Sequence, residues 1–124
     1  PGIGCPVTAS LTGADYAVIV TEPTVSGVHD LKRILETARF FNIRSGILVN
    51  KSDLNPRKTK EIQSIADKSG TDFLGTIPYD KSITEAQVSG KSVVEYVNNE
   101  TTELISGIWE KIKNACAPAK NSNT

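Results

Sequence analysis

Three short runs of apolar residues alternate with longer amphipathic stretches along the chain. The runs cover residues 15–22 (DYAVIVTE), 45–51 (SGILVNK) and 72–80 (DFLGTIPYD). The first run is almost continuously apolar, which is typical of a strand that is covered on both faces of a sheet. Strands alternating with helices of this length predict an α/β fold, in which helices flank a parallel sheet to give three layers.

Helices are predicted between and after the strands from apolar positions that recur at three- and four-residue steps. They cover residues 24–42, 56–70, 82–90 and 98–116, with a helix or turn of small residues at 3–14. The second of these has clear boundary signals, namely Asn55 as the capping residue, Pro56 in the first turn and Gly70 at the end. Trp109, on the last helix, is predicted to contact the core.

Composition limits the classes of function. The 124 residues are enough for one domain, and 14 Lys and Arg balance 14 Asp and Glu. The chain therefore has no basic surface for nucleic acid. We expect no signal peptide, and no apolar stretch approaches the roughly 18 residues of a membrane span, so a cytoplasmic protein is expected. The sequence contains no methionine, so we expect it to be a piece of a longer protein.

Polar and turn-forming residues follow each apolar run. The three ends read TEPT at 21–24, VNKSD at 49–53 and IPYD at 77–80. Ligands of open parallel sheets collect at the carboxyl ends of the strands. The sequence therefore predicts a ligand site where these three segments meet.

Together with PGIG at residues 1–4, these segments resemble the second half of the MinD/ParA-type ATPases of the deviant Walker P-loop class. The closest resemblance is to the MinD-like group that carries an inserted ferredoxin domain, and it covers residues 1–97. It implies a partial P-loop NTPase (Rossmann-like) fold, with residues 1–116 as the C-terminal part of an ATPase domain and 117–124 as a flexible tail. It also implies ATP and Mg²⁺ as cofactors of a homodimeric parent protein.

The lysine-bearing glycine-rich loop and the magnesium-binding aspartate of that family are not in this sequence. Those parts supply most of the phosphate binding in such enzymes. The chain is therefore expected to be inactive alone, to hold no cofactor tightly, and to need the missing N-terminal half of the domain as its partner. Without that half, the strand at 15–21 would have an unpaired edge, so we expect pairing with another chain or marginal stability.

The resemblance places the adenine end of the nucleotide on two loops. Asn50 corresponds to the residue whose side-chain amide recognises adenine, since an amide has both a donor and an acceptor for a purine edge. Pro78, Tyr79 and Asp80 correspond to the loop that wraps the base with backbone groups. Lys51 would either cover the base with its aliphatic stem or be solvated.

Other family positions lie earlier in the chain. Pro1 and Gly2 match the tail of switch II, which responds to the γ-phosphate. Glu22 and Pro23 match a turn that faces the partner subunit across the nucleotide, although ordinary strand-to-helix turn chemistry explains them as well. Cys5 has an offset similar to that of the cluster-ligating cysteine of nitrogenase iron protein. It is a candidate iron–sulfur ligand, and the alternative is a small buried residue at a helix start.

Two other functions stay open. Asn50 to Asp53 also matches the guanine-binding N-K-x-D motif of GTPases, in which the aspartate accepts from guanine N1–H and N2–H. Such a reader also needs a Ser-Ala-Lys-like loop after the next strand, and 77–80 reads IPYD instead. Adenine is therefore favoured, and Asp53 is expected to order the turn and open the following helix. The third alternative is a non-enzymatic α/β binding domain of the flavodoxin or receiver type.

Overall fold

The computed structural model describes residues 4–117. Pro1, Gly2 and the predicted tail beyond Ala117 therefore lie outside the described residues. Three strands and six helices follow one another in the described part of the chain. In order they are α1 (Cys5–Leu11), β1 (Tyr16–Thr21), α2 (Val25–Phe40), β2 (Arg44–Asn50), α3 (Pro56–Ser69), β3 (Asp72–Ile77), α4 (Lys81–Val88), α5 (Val93–Tyr96) and α6 (Glu100–Cys116).

The three strands form one parallel sheet in the order β1-β2-β3, as the alternating pattern predicts. β1 and β2 pair in regular register, with Ile19 opposite Ile47. The β2–β3 ladder shifts by one residue after Ile47, and Gly75 has a φ of 143° just past the shift. β3 ends at Ile77, three residues before the end of the predicted run, so the segment after it is free to form a loop.

The predicted helix boundaries are confirmed where the sequence has capping residues. Thr24 caps α2 by accepting a hydrogen bond from the backbone N–H of Gly27 at 2.9 Å. Asn55 caps α3 by accepting from the backbone N–H of Lys58 at 3.1 Å. Gly70 ends α3 with a left-handed φ of 65°, a conformation that glycine adopts without steric cost.

Helices cover both faces of the sheet, which confirms the three-layer arrangement. On one face, buried residues of α2 and α3 pack against inward-facing residues of β1 and β2; the cluster is Ile19, Val28, Leu31, Ile47, Val49, Ile62 and Ala66. On the other face, Leu74 and Ile77 of β3 pack against three isoleucines of α6, Ile105, Ile108 and Ile112. Trp109 of the same helix is 57% exposed, so its predicted core contact is wrong.

β1 has one open edge and one open face. β2 is its hydrogen-bonded neighbour, and no described strand pairs with its other edge. Ala17 and Ile19 are buried, but Val18 and Val20 are 40% and 59% exposed, so the prediction that both faces are covered is wrong for the described chain. A groove of about 610 Å³ lies along this strand between α1 and α2. Within residues 4–117, β1 is thus an edge strand of the sheet.

The end of α6 is fastened to the amino end of the sheet. The guanidinium of Arg44, at the start of β2, donates through Nη1 to the carbonyl oxygen of Ala115 at 3.0 Å. Tyr16 Oη donates to Asp72 Oδ2 at 2.9 Å in the same region. The last helix therefore finishes at the end of the sheet opposite to the strand ends that form the predicted site. No helix in residues 4–117 has the length and apolarity needed to span a membrane.

Candidate nucleotide-base site

An ion pair joins the carboxyl ends of β1 and β2. Lys51 Nζ lies 3.1 Å from Glu22 Oε1, and the two side chains are 41% and 43% exposed. A pair this exposed contributes at most about 1 kcal/mol. Lys51 has a φ of 51°, a left-handed conformation that few residues other than glycine adopt. Two predicted site residues are thus in contact, next to the end of β2.

Two hydrogen bonds join the loop after β2 to the end of β3 and to the loop that follows it. The backbone N–H of Ser52 donates to the carbonyl oxygen of Ile77 at 3.0 Å. The backbone N–H of Tyr79 donates to Asp53 Oδ1 at 2.7 Å. We call these two bonds the loop clamp. The prediction that Asp53 opens the helix is wrong, because Asn55 caps α3 and the Asp53 carboxylate faces the neighbouring loop.

Asn50 is the last residue of β2 and is half-buried. Its Oδ1 accepts a hydrogen bond from the backbone N–H of Lys51 at 3.0 Å. Among residues 4–117, its Nδ2 group donates to no protein acceptor. The oxygen therefore fixes the side chain locally, and the amide N–H groups are what Asn50 can present to a ligand.

The loop after β3 begins beside Asn50, because Ile77 is the partner of Asn50 in the β2–β3 ladder. Proline has no N–H, so Pro78 contributes only an acceptor. The N–H of Tyr79 is engaged by Asp53, which leaves the carbonyl as the free backbone group of that residue. The Tyr79 side chain is 56% exposed. The clamp and the pairing of β2 with β3 thus bring Asn50, Pro78 and Tyr79 to one end of the sheet.

The carboxylate of Asp80 has a structural role. It accepts from the backbone N–H of Ser82 at 2.8 Å, which caps α4. It also accepts from Thr101 Oγ1 at 2.6 Å and from Asn99 Nδ2 at 3.0 Å, at the start of α6. These hydrogen bonds lower the pKa of Asp80 to about 2, and the bond from the Thr101 hydroxyl has the largest effect. Asp80 can therefore take part in base binding only through its backbone.

This network predicts a defined loss of stability in acid. The Asp80 pKa falls from its usual 3.8 to about 2 on folding. The folded state therefore favours the ionised form, and this stabilisation is present above the unfolded pKa and is lost as pH falls toward 2. We expect the Tm, followed by circular dichroism, to fall more steeply between pH 4 and pH 2 for the wild type than for Asp80→Asn, which keeps a capping side chain without the charge. Parallel slopes for the two proteins would contradict the assignment.

Pro23 is fully buried in the turn after β1, and the Glu22 carbonyl accepts from the backbone N–H of Thr24 at 2.8 Å. Packing and turn chemistry therefore account for Pro23, whereas the Glu22 side chain extends to Lys51. Of the predicted positions in this turn, Glu22 alone presents a charged group, and that group contacts Lys51.

Cys5 begins α1 and its residue is exposed, so the reading as a small buried residue is wrong. In residues 4–117, no three His, Cys, Asp or Glu side chains are grouped so that they could hold a metal ion. An iron–sulfur cluster takes four thiolates, and the sequence has two cysteines. The residues of one chain therefore do not fit a cluster.

The bond from Ser82 to Asp80 can be predicted from the sequence, whereas the bond from Tyr79 to Asp53 cannot. Asp80 two residues before Ser82, at the start of a predicted helix, is a recognisable capping pattern. The bond from Tyr79 to Asp53 spans 26 residues and has no local signal, because it depends on the pairing of β2 with β3.

Comparison with known sequences identifies relatives that match over part of their length. No protein-family model matches the chain. An uncharacterized protein of Methanocaldococcus jannaschii is 30% identical over 117 residues, which are 91% of this chain and 37% of that protein. A cytosolic Fe-S cluster assembly factor Nubp1 homolog of Drosophila yakuba is 31% identical over 108 residues, or 77% of this chain and 34% of that protein. An uncharacterized ATP-binding protein of M. jannaschii is 28% identical, covering 81% of this chain and 40% of that protein.

Solved structures share the fold. The MinD cell division protein of Aquifex aeolicus superposes with a TM-score of 0.74 at 21% identity, covering 97% of this chain and 52% of that chain. A ParA family ATPase of Chlorobium tepidum gives a TM-score of 0.67 at 23% identity, covering 87% of this chain and 47% of that chain. The chain thus spans about half the length of these structures and 34–40% of the curated relatives named above.

Proposed function

We propose, on the premise that this chain has the fold of the MinD/ParA-type ATPases, that its strand ends bind the adenine base of ATP. The similarity to an ATP-binding protein supports this nucleotide. The observation that carries the proposal is the loop clamp, in which Tyr79 N–H donates to Asp53 at 2.7 Å and so brings the 78–80 loop beside Asn50.

In this proposal, the Nδ2 group of Asn50 donates to a ring nitrogen of the base. The carbonyl oxygens of Pro78 and Tyr79 accept from its exocyclic amine. The stem of Lys51, held toward β1 by Glu22 at 3.1 Å, borders the base on the other side. Each of these groups lies at or just beyond the end of β2 or β3, so the sheet gives it a rigid support.

The phosphates and Mg²⁺ of the nucleotide need groups that this sequence lacks, since it has no lysine-bearing glycine-rich loop. We propose that those groups belong to the N-terminal half of the same ATPase domain. The free edge and exposed valines of β1 give that half a strand to pair with and an apolar face to cover. Base contacts alone give an affinity near millimolar, about 4 kcal/mol, so this chain by itself is expected to bind weakly and not to hydrolyse ATP.

For the complete protein we propose a cytoplasmic ATP-dependent homodimer that acts on iron–sulfur clusters. The similarity to a cytosolic Fe-S cluster assembly factor supports that process. Cys5, exposed at the start of α1, remains a candidate ligand of the dimer, with any further ligands supplied from outside residues 4–117.

The function is tested by titrating the ¹⁵N-labelled 124-residue chain with AMP and following amide chemical shifts. We expect millimolar binding, with shifts at Asn50, Lys51 and the 78–80 loop, and a loss of at least about tenfold in affinity in Asn50→Ala, since a hydrogen bond of about 1.4 kcal/mol corresponds to that factor. Asn114→Ala is the matched control, because Asn114 is an exposed residue near the end of α6. Equal AMP affinities of Asn50→Ala and the wild type would refute the base site.

A further inference from the structure

We propose that Asp53 is a positioning residue that sets the preference for adenine over guanine, by holding the N–H of Tyr79 away from the base. The proposal rests on the base site described above and adds a determinant of its selectivity. It concerns the residue that gives this chain its likeness to a guanine reader.

Asn50 alone does not distinguish the two purines. Its Oδ1 already accepts from the backbone N–H of Lys51 at 3.0 Å, so the amide meets the base through its donor group. Adenine and guanine both present N7 as an acceptor. A donor directed at N7 binds either base, and the choice between them must come from another group.

Asp53 is prevented from reading guanine by its own hydrogen bond. A carboxylate that recognises guanine directs both oxygens at N1–H and N2–H of the same base edge. Here Oδ1 is 2.7 Å from the backbone nitrogen of Tyr79, so the carboxylate is aimed at the 78–80 loop. One oxygen cannot serve both partners at full strength, and guanine loses the paired contact.

The same bond gives the loop an acceptor-only edge. Pro78 has no N–H, and the N–H of Tyr79 is turned to Asp53, so the free groups of these two residues are carbonyl oxygens. Carbonyl oxygens accept a hydrogen bond from the 6-amino group of adenine. They repel the O6 of guanine, because a carbonyl oxygen and O6 are both acceptors. Loss of the Asp53 bond would free a donor in this loop and remove that discrimination.

The second bond of the clamp makes a clean test feasible. Ser52 N–H donates to the Ile77 carbonyl at 3.0 Å through backbone atoms alone, so a change of the Asp53 side chain leaves it in place. Asp53 is exposed, so its substitution does not open a cavity. A variant at this position should therefore alter the orientation of the 78–80 loop without separating the two loops.

The experiment compares AMP and GMP titrations of the wild type, Asp53→Ala, Asp53→Asn and Asn50→Ala by amide chemical shifts, with hydrogen exchange of the Tyr79 amide as a second measurement. We expect the wild type to prefer AMP by at least about fivefold, as one hydrogen bond lost with guanine implies. Asp53→Ala should bring the ratio of the AMP and GMP affinities close to one and speed the hydrogen exchange of the Tyr79 amide. Asp53→Asn, whose amide oxygen still accepts from Tyr79, should keep both properties within about twofold of the wild type.

The outcomes separate the two proposals. Absence of AMP binding by the wild type overturns the base site and this inference together. AMP binding that depends on Asn50, with an unchanged AMP-to-GMP ratio in Asp53→Ala, overturns this inference alone. If Asp53→Ala does not fold by circular dichroism, the wild-type Tyr79 amide decides, and exchange at the rate of an unbonded amide overturns the inference.

Discussion

Replacing Ile47 with alanine is expected to lower the free energy of unfolding by about 3 kcal/mol. Ile47 is completely buried in the central strand, where it belongs to the cluster that joins the sheet to α2 and α3. Deleting three carbons there removes the transfer free energy of those atoms and leaves a cavity that the surrounding helices fill only in part. For a domain whose total stability is about 5–15 kcal/mol, this is a large share. Urea denaturation followed by circular dichroism measures it.

Leu54→Ala is the matched control, because Leu54 is 60% exposed in the loop after β2. A leucine that remains in water loses little on truncation, so its effect should stay within about 0.5 kcal/mol. Comparable losses in the two variants would show that the β2 core is less tightly packed than the structure indicates.

Replacing Gly27 with alanine is expected to cost about 2 kcal/mol, although alanine normally favours a helix. A Cβ on Gly27 would run into the carbonyl oxygen of Glu22 and lie 3.0 Å from the Thr24 hydroxyl that caps α2. The first contact is with backbone, which cannot rotate away, so the turn between β1 and α2 must shift. The shift would also displace Glu22 from Lys51. Thermal and urea unfolding measure the loss.

Gly107→Ala supplies the opposite expectation within the same chain. Gly107 lies in α6 with open space where its Cβ would be. Alanine there should raise stability by about 0.5–1 kcal/mol through helix propensity alone. Both variants add one methyl group to a helix, and a shift of the same sign in both would refute the steric argument at Gly27.

Local signals in the sequence account for most of the framework. The apolar runs predict β1, β2 and β3, and the caps Thr24, Asn55 and Gly70 mark the helix boundaries within a residue or two. These features act over three or four residues, so a linear pattern contains them. α5 was not predicted because a four-residue helix is too short to show a period.

Features that depend on tertiary contacts cannot be predicted from the local sequence pattern. Trp109 is apolar and lies at a helical step, yet α6 places its isoleucines on the sheet and leaves the indole exposed. Val18 continues an apolar run, and its exposure depends on which other elements are present to cover β1. In both cases the exposure of the side chain depends on the neighbouring elements and cannot be predicted from the residue type.

The sequence indicates where in the fold the candidate site lies, but it does not indicate the individual contacts within the site. The strand-end rule and the resemblance indicate Asn50, Lys51 and the 78–80 loop, and the structure brings these segments together at one end of the sheet. The bond between Asp53 and Tyr79 required the parallel register of β2 and β3, which no local motif specifies. The N-K-x-D pattern alone does not indicate the bond that its last residue makes to Tyr79.

The anchoring of α6 by Arg44 has a practical consequence for biophysical work. Cys116 follows Ala115, whose carbonyl is bound to the first residue of β2, and its thiol is free and exposed. The length of a seven-residue strand, about 23 Å, separates that end of the sheet from Lys51. In a Cys5→Ser background, Cys116 is therefore a single attachment point for a fluorophore or a sensor surface that leaves the loops after β2 and β3 unobstructed.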